Sequence, residues 1–463
     1  MKRYSRIIGL WQVGVMASAF AVVKNIEPAP AFKSSMAVEN VFFKLAEHVN
    51  KDGYMKASLT YPHYYACWFR DSSMTSISMA NLAAELGEEG RSRAQIPFGI
   101  ESDTPREISA RILRFLWGSV AENSWRIGWA GNGEDPKSIE ESRHIPARVG
   151  EDGKIFHMEV DGRVFTDRAG YDVWEGYNVL IRQHDSIPLL LLATENYVGR
   201  FGEKGVEEAV AWLKENAKTV ANYVESTLHT PCANAWELDD NSFHSYDIAA
   251  IQRGLKSLAE LDSMLGLGLN REKLYDAQHM AGRMLLEHLV RDGVLFKANE
   301  CVDGKFMENP IREVDASAIL IFNYFKPPEL SKEVEMNTMA RIESDLFGGN
   351  VLPLRYRHDD YFYGGRWLLL GLEAAVWYTN NGKREKATSI LEYVNAKYLA
   401  AGSGMLPEQE LVNPESPRND PYEFFVRNGN SMVTDLAWSE AAYINAFIAL
   451  ASRKPEIAIL VRE

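Results

Sequence analysis

Apolar residues recur three and four apart along almost all of this chain, and that spacing marks twelve amphipathic segments. They run over about 38–50, 72–87, 104–127, 186–202, 206–228, 246–265, 271–290, 315–325, 333–347, 366–382, 383–401 and 434–453. In the fifth, Val210, Leu213, Ala217, Val220 and Val224 share one face, and Lys214, Glu215 and Lys218 take the other. The connections are unequal in a regular way. They are long after every odd-numbered helix, covering 51–71, 128–185, 229–245, 291–314, 348–365 and 402–433. After the fourth, sixth, eighth and tenth helices they are only a few residues, and after the second they are moderate. Short connections favour antiparallel neighbours, so all six long loops emerge at one end and lead into the even-numbered helices. This pattern predicts an all-α fold, an (α/α)6 barrel of six helical hairpins closed into a toroid. An open helical solenoid is the rival, but no self-similarity at a period of about 34 or 40 residues supports it. One segment breaks the helical rule. Residues 153–166 alternate (Ile155, Phe156, Met158, Val160, Val164, Phe165) around Asp161-Gly162, which predicts a small β-hairpin inserted in the second long loop.

No Pro/Gly/Ser-rich linker divides residues 38–463, which read as one domain behind an N-terminal extension, 1–37. In that extension Lys2, Arg3 and Arg6 precede an apolar run from Ile7 to Val23, with Ala17-Ser18-Ala19 near its end. The outline is that of a secretory signal peptide. A helix packed on the body is the alternative, which Trp11 and Gln12 favour, so the compartment stays open between cytoplasm and secretion. The run is too short and too interrupted for a membrane span. With 50 Lys+Arg against 64 Asp+Glu, the net charge of −14 lacks the basic footprint of a nucleic-acid partner. Three cysteines, Cys67, Cys232 and Cys301, form no C-x-x-C pair and fit neither a disulfide framework nor a zinc knuckle. They read as buried structural residues.

The unusual residues lie in the long loops. Aromatic side chains make up 11% of the chain, and several Trp adjoin Glu, Asp or Arg. Flat apolar faces beside hydrogen-bonding groups suit a sugar, whose C–H faces are apolar and whose edges are hydroxyls. The first loop carries Tyr64-Tyr65-Ala66-Cys67-Trp68-Phe69-Arg70-Asp71, and the second ends in Arg182-Gln183-His184-Asp185. The third holds Trp236-Glu237-Leu238-Asp239-Asp240, and the fourth ends at Asp315. The fifth has Arg355-Tyr356-Arg357-His358-Asp359-Asp360-Tyr361, with Trp367 just beyond; the sixth has Leu406-Pro407-Glu408-Gln409, then Asp435 and Trp438. One Asp at a helix start is ordinarily an N-cap. Six such sets at one end exceed what capping explains, and loops on a rigid scaffold are where binding and catalytic groups usually sit.

These residues resemble glycoside hydrolase family 15, the glucoamylase family, over roughly 38–453. The resemblance rests on Tyr-x-x-x-Trp-x-Arg-Asp, Gln-x-Asp, Trp-Glu, Arg-Tyr-x-x-Asp and Pro-Glu-Gln followed by Leu-Ala-Trp-Ser, in the family's order. It implies an inverting exo-acting α-glucosidase on an (α/α)6 barrel, with a small oligosaccharide as partner and no cofactor. An inverting glycosidase needs one carboxylic acid to protonate the leaving oxygen and a second carboxylate to activate water from the opposite face, about 6.5–9.5 Å away. By resemblance Glu237 is the general acid and Glu408 the general base. Burial and neighbouring carboxylates are expected to raise the pKa of the acid. Glu175, in a second Trp-Glu pair, competes for the acid role but lies in the long excursion before Gln183. Glu410 reads as an exposed loop carboxylate.

The resemblance also makes Arg70 and Asp71 the pair that grips hydroxyls of the terminal glucose, against the alternative of a structural salt bridge. Arg355 falls near the second sugar, Tyr64 and Trp68 form an aromatic wall, and Gln183, Asp185 and Trp236 support the subsite. Trp438 walls the pocket or packs beneath it, and Asp315 caps a helix or touches sugar. His184 and His358 have no partner at metal-ligand spacing and read as polar loop residues. Many family members carry an acidic residue right after the catalytic acid; here Leu238 stands there, which bears on linkage preference. No N-terminal β-sandwich or starch-binding module is legible, so short saccharides, α-1,4- or α-1,6-linked, are the expected substrates, with α,α-1,1 (trehalose) as an alternative. The 128–185 excursion is expected to cover one side of the pocket. A non-catalytic regulatory or carbohydrate-binding protein on the same scaffold is the reading from another class, and loss of either carboxylate would favour it. A helical scaffold for protein partners is a third.

Overall fold

The computed structural model describes residues 35–60, 64–87, 103–124, 145, 147–154, 157–160, 163–168, 171–174, 177–180, 183–237, 242–302, 305–307, 313–359, 361, 364–400, 402–410 and 433–451. The chain divides into two compact units, Met1–Ser35 and Met36–Glu463. Apart from Ser35, every described residue belongs to the second, so the proposed signal segment lies outside the described residues.

Twelve α-helices occur among the described residues: α1 Ser35–Glu47, α2 Phe69–Leu86, α3 Asp103–Glu122, α4 Ser186–Phe201, α5 Glu207–Thr227, α6 Ser245–Leu265, α7 Arg271–Met284, α8 Ala318–Leu320, α9 Lys332–Ile342, α10 Leu368–Asn380, α11 Arg384–Val394 and α12 Ala437–Ala451. The last turns of α7, α8, α9 and α11 continue as π-helix, over Leu285–Leu289, Ile321–Phe325, Glu343–Phe347 and Asn395–Leu399. Helix starts use ordinary caps where they are exposed: Asn270 and Ser331 accept from the backbone N–H of Lys273 and Val334 at the heads of α7 and α9.

The even-numbered helices touch in a closed ring, α2 to α4, α6, α8, α10, α12 and back to α2. Closure excludes the open solenoid; the fold is an (α/α)6 barrel. Apolarity explains which helices line it. Helix α10 buries every residue from Leu368 to Thr379, and α12 every residue from Ala437 to Leu450. A helix apolar all round needs neighbours on all sides. The outer α5 buries only a stripe, Ala209, Val210, Leu213, Ala217, Val220, Ala221, Tyr223, Val224 and Thr227. Where α4 meets α6, Gly254 lets the backbones approach closely: a Cβ there would sit 2.7 Å from Pro188 Cα.

A belt of buried polar groups ties the inner helices together. Asn323 and Tyr324 of the α8 segment each donate to Glu373 of α10 at 2.9 Å. Asn445 of α12 donates to the Tyr324 hydroxyl at 3.2 Å and to Ser78 of α2 at 2.7 Å. Asn81 of α2 accepts from Arg200 of α4 at 2.9 Å, and Arg253 of α6 pairs with Glu195 of α4 at 2.8 Å. Such groups cost stability unless each finds a partner; here most partners come from the next helix, and the Asn445–Tyr324 bond reaches across α10's place in the ring.

Short antiparallel strands stitch the long loops in pairs. Strand β1 (Cys67–Trp68) pairs with β2 (Arg148–Val149), joining loops one and two. Strand β7 (Ser242–His244) pairs with β10 (Ala298–Val302), joining loops three and four. Strand β12 (Arg366–Trp367) pairs with β13 (Gln409–Glu410), joining loops five and six. Strands β8 (Val290–Arg291), β9 (Val294–Leu295) and β11 (Lys305–Phe306) form small hairpins within loop four. The expected hairpin is present as β3 (His157–Val160) against β4 (Arg163–Arg168), but it is half of the insertion. Strands β5 (Tyr171–Trp174) and β6 (Tyr177–Leu180) extend it into a four-stranded meander.

Candidate active site

Loop one supplies the centre of the site. Tyr64 and Trp68 rings pack 5.2 Å apart between centroids. The Trp68 indole N–H donates to Glu237 Oε1 at 2.9 Å, and the Tyr64 hydroxyl donates to Glu408 Oε1 at 3.0 Å. One aromatic pair therefore touches both candidate carboxyl groups, which are 171 residues apart in sequence (408 − 237). Asp71 is coupled electrostatically to each of them.

Each carboxyl is held by its backbone. Glu237 has φ 62, a left-handed conformation uncommon for a side-chain-bearing residue. Asn234 makes the turn that produces it: its side chain accepts from the Trp236 N–H at 2.8 Å, and its carbonyl accepts from the Glu237 N–H at 2.9 Å. Glu408 is fixed by main chain, its N–H on the Val433 carbonyl at 3.1 Å and its carbonyl on the Leu368 N–H at 3.2 Å.

Burial falls on Glu408 and Asp71, at 4% and 7% exposure, while Glu237 is half-buried. Burial pushes the Glu408 carboxyl up to about 7; the Tyr64 and Tyr361 hydroxyls and Arg355 pull against it, and Asp71 adds to it. Burial likewise raises Asp71 to about 7, opposed by Arg70 and reinforced by Glu237 and Asp185. The expected upward pressure thus acts on the candidate base and on Asp71, because these lie at the buried floor. Glu408 Oε2 accepts no hydrogen bond among the described residues.

Arg70 is buried and donates from all three nitrogens: to Asp185 at 2.5 and 3.3 Å, to Gln183 Oε1 at 2.9 Å and to the Ala235 carbonyl at 2.7 Å. It bolts loops one, two and three together, with Tyr246 also donating to Asp185 at 3.2 Å. Arg355 is likewise engaged, forked onto Asp359 at 2.6 and 2.7 Å and ringed by Trp236, Tyr361 and Trp367 at 5.3, 4.8 and 4.6 Å. Trp236 donates to Asp315, whose Oδ1 also accepts from the Ser317 N–H at 2.7 Å, the capping arrangement. Trp438 is buried in the first turn of α12, so its ring packs within the barrel. Glu410 is not an exposed carboxylate: Tyr393, Tyr398 and Lys397 all donate to it, because it sits on β13 facing the end of α11. His184 is buried, with Thr230 Oγ1 at 3.5 Å. Glu175 and Leu238 lie outside the described residues.

Four further residues complete the site, and of these only Asp359 stood in a motif of the resemblance, closing Arg-Tyr-x-x-Asp. Tyr361 lies 2.7 Å from the Tyr64 hydroxyl, Asp359 fixes Arg355, Asn234 shapes the Glu237 turn, and Arg148 stacks on Trp68 at 5.0 Å. Asp359 and Tyr361 stand inside a motif already visible around Arg355, whereas Asn234 and Arg148 carry no motif signal. Among the described residues no group of three or more His, Cys, Asp or Glu is set to hold a metal ion. Cys67 and Cys232 are buried free thiols.

A glycosidase structure superposes with a TM-score of 0.66 at 19% identity, over 90% of this chain and 97% of that one. The glucoamylase from Saccharomycopsis fibuligera gives 0.61 at 13% identity, over 90% and 94%. A bacterial glucoamylase complexed with acarbose gives 0.57 at 15%, over 90% of this chain and 55% of that one. The shared property is the fold. No protein-family model and no curated protein sequence matches the chain. At identities of 13–19% the likeness establishes the barrel, and the chemistry rests on the site itself.

Proposed function

We propose that this chain is a glycoside hydrolase, and within that class an inverting exo-α-glucosidase that releases β-glucose from the non-reducing end of short α-glucosides. The observation that carries the reading is the Tyr64–Trp68 pair, hydrogen-bonded at one end to Glu408 and at the other to Glu237. Two carboxyl groups flanking a flat apolar surface are what an acetal in a sugar ring requires. Glu237, half-buried and nearer solvent, protonates the leaving oxygen as general acid. Glu408, with Oε1 occupied by Tyr64 and Oε2 open, takes a proton from the attacking water as general base. Exo action is part of the proposal, and the burial of Arg70, Asp71, Asp185 and Glu408 supports it, since buried polar groups beneath the carboxyl groups suit a site that takes a chain end. Structural neighbours that are glycosidases and glucoamylases support the class.

The deciding experiment incubates the protein with maltose, maltotriose, isomaltose and trehalose and follows the anomer of the released sugar by proton NMR. Early β-glucose, with the rate reduced by about 10²–10⁴ in both Glu237→Gln and Glu408→Gln, is the expected outcome. Early α-glucose would overturn inversion. No release from any substrate, with saccharide binding intact, would replace the enzyme reading with a regulatory one.

A further inference from the structure

Asp435 stands two residues before α12, where an aspartate would ordinarily cap the helix. Its carboxylate is used otherwise. It is fully buried, and among the described residues its donors all come from loop one: Ser58 Oγ at 2.6 Å, the Leu59 N–H at 3.1 Å, the Thr60 N–H at 3.4 Å and the Thr60 hydroxyl. A carboxylate offers about four acceptor sites, and an amide of the same length only two. Beside it the Thr60 and Thr434 hydroxyls lie 3.1 Å apart, and the Ala437 N–H at the head of α12 donates to the Ala57 carbonyl at 2.9 Å. The start of α12 is thus docked on residues 57–60.

These contacts close a circuit around Glu408. Ser58, held by Asp435, donates its N–H to the Tyr64 carbonyl at 3.1 Å. The Tyr64 hydroxyl donates to Glu408 Oε1 at 3.0 Å. The Glu408 N–H donates to the Val433 carbonyl at 3.1 Å, and Val433 is two residues from Asp435. Glu408 is therefore tied into one hydrogen-bonded ring twice, by its side chain through Tyr64 and by its main chain through Val433. The charged neighbours of Asp435 are His48 and Glu440, and Lys44 and Glu47 of α1 act on both. Burial pushes His48 down to about 4, which keeps it neutral around pH 7, and pushes Glu440 up. Glu408 itself faces Asp71, Arg355, Tyr64 and Tyr361.

We infer that Asp435 is a positioning residue for the proposed general base: by gripping residues 58–60 it sets the Tyr64 hydroxyl on Glu408. Its consequence for catalysis rests on the glycosidase reading, whereas its geometry rests on the hydrogen bonds alone. The sign of one shift separates positioning from plain electrostatics. Loosening Tyr64 removes a bond that favours ionised Glu408, so the titration of Glu408 moves to higher pH. Losing a negative charge nearby would move it to lower pH.

The test follows the Glu408 carboxyl by carbon-13 NMR of labelled glutamate, assigned with Glu408→Gln, alongside the pH dependence of kcat/KM on the best glucoside. Asp435→Asn is expected to raise the titration and the acid limb together by about half a unit to one unit. That is a loss of about three- to tenfold in kcat/KM on the acid side. In a Tyr64→Phe background Asp435→Asn is expected to add no further rise, because the bond it sets is already gone. A downward or absent shift, or a further rise on top of Tyr64→Phe, would overturn the inference. Ser58→Ala with Thr60→Val removes the hydroxyl donors from the other side of the clamp. It should give the same upward shift, and it decides the matter if Asp435→Asn does not fold. A chain that hydrolyses no glucoside but still shows the shift would overturn the functional reading and leave the positioning role standing.

Discussion

Tyr64 donates its hydroxyl to Glu408 against the upward pressure of burial, so the two effects separate by mutation. On the proposed reading Glu408 is the base, and a carboxyl that burial raises to about 7 becomes mostly ionised only above that pH. The acid limb of kcat/KM, which reports the free enzyme, is therefore expected near neutrality. With Asp71 raised to the same region, that limb belongs to the pair. Tyr64→Phe removes a hydrogen bond that favours the ionised form, so the limb should move to higher pH, by about half a unit to one unit. A pH–rate profile of the variant checks this; a limb that stays in place would mean the hydroxyl does not stabilise the Glu408 carboxylate. The motif residues Tyr64, Trp68, Arg70 and Asp71 could be read from the sequence because they share one eight-residue stretch. Their division of labour could not. Arg70 turns out to bolt three loops together, and burial falls on Glu408, because burial is set by which loops cover a residue and not by its neighbours in sequence.

At the scale of elements, helices were the legible part. Each of the twelve predicted segments corresponds to a helix, since spacing of three and four is preserved wherever one face is buried. The π-turns ending α7, α9 and α11 left no trace in that spacing, being only one residue per turn wider. The second hairpin, β5 with β6, was missed because two runs of four residues are too short for alternation to stand out. Helix contacts were also invisible. Gly254 reads as a weak point in α6, yet it is where Pro188 of α4 lies against the backbone. Gly254→Ala gains helix propensity and meets Pro188 Cα, so overpacking should dominate and lower stability by about 1–3 kcal/mol. Chemical denaturation measures it; a stabilised variant would mean that α4 and α6 separate at little cost.

For the whole molecule, the polar belt makes stability depend on pH. Glu373 is fully buried, and burial raises it to about 7 although Tyr324 and Asn323 both donate to it. The sign follows from proton binding. Between its ordinary value of 4.5 and about 7 the folded chain holds the proton more tightly than the unfolded chain, so raising the pH through that window removes stability. Above pH 7 the full cost of the buried charge is present, on the order of 3 kcal/mol. Glu373→Gln mimics the protonated form and should flatten the decline between pH 5 and pH 8 in denaturant titrations. An equal decline in the variant would assign it to other groups. The ring closure that this belt accompanies was foreseen from loop lengths, whereas the belt was not, since its members are scattered over six helices, one or two on each.

The three strand pairs across the rim have a consequence for stereochemistry. They divide the mouth into three jaws, each made of two stitched loops. Glu237 rides on the second jaw, Glu408 on the third, and the aromatic pair that touches both rides on the first. The gap between the two carboxyl groups is therefore a matter of how the jaws close. A gap that admits a water yields the inverted anomer, and a narrower one permits direct attack and retention. On the proposed reading, the anomer released would then depend on how the rim is stitched as well as on the two glutamates.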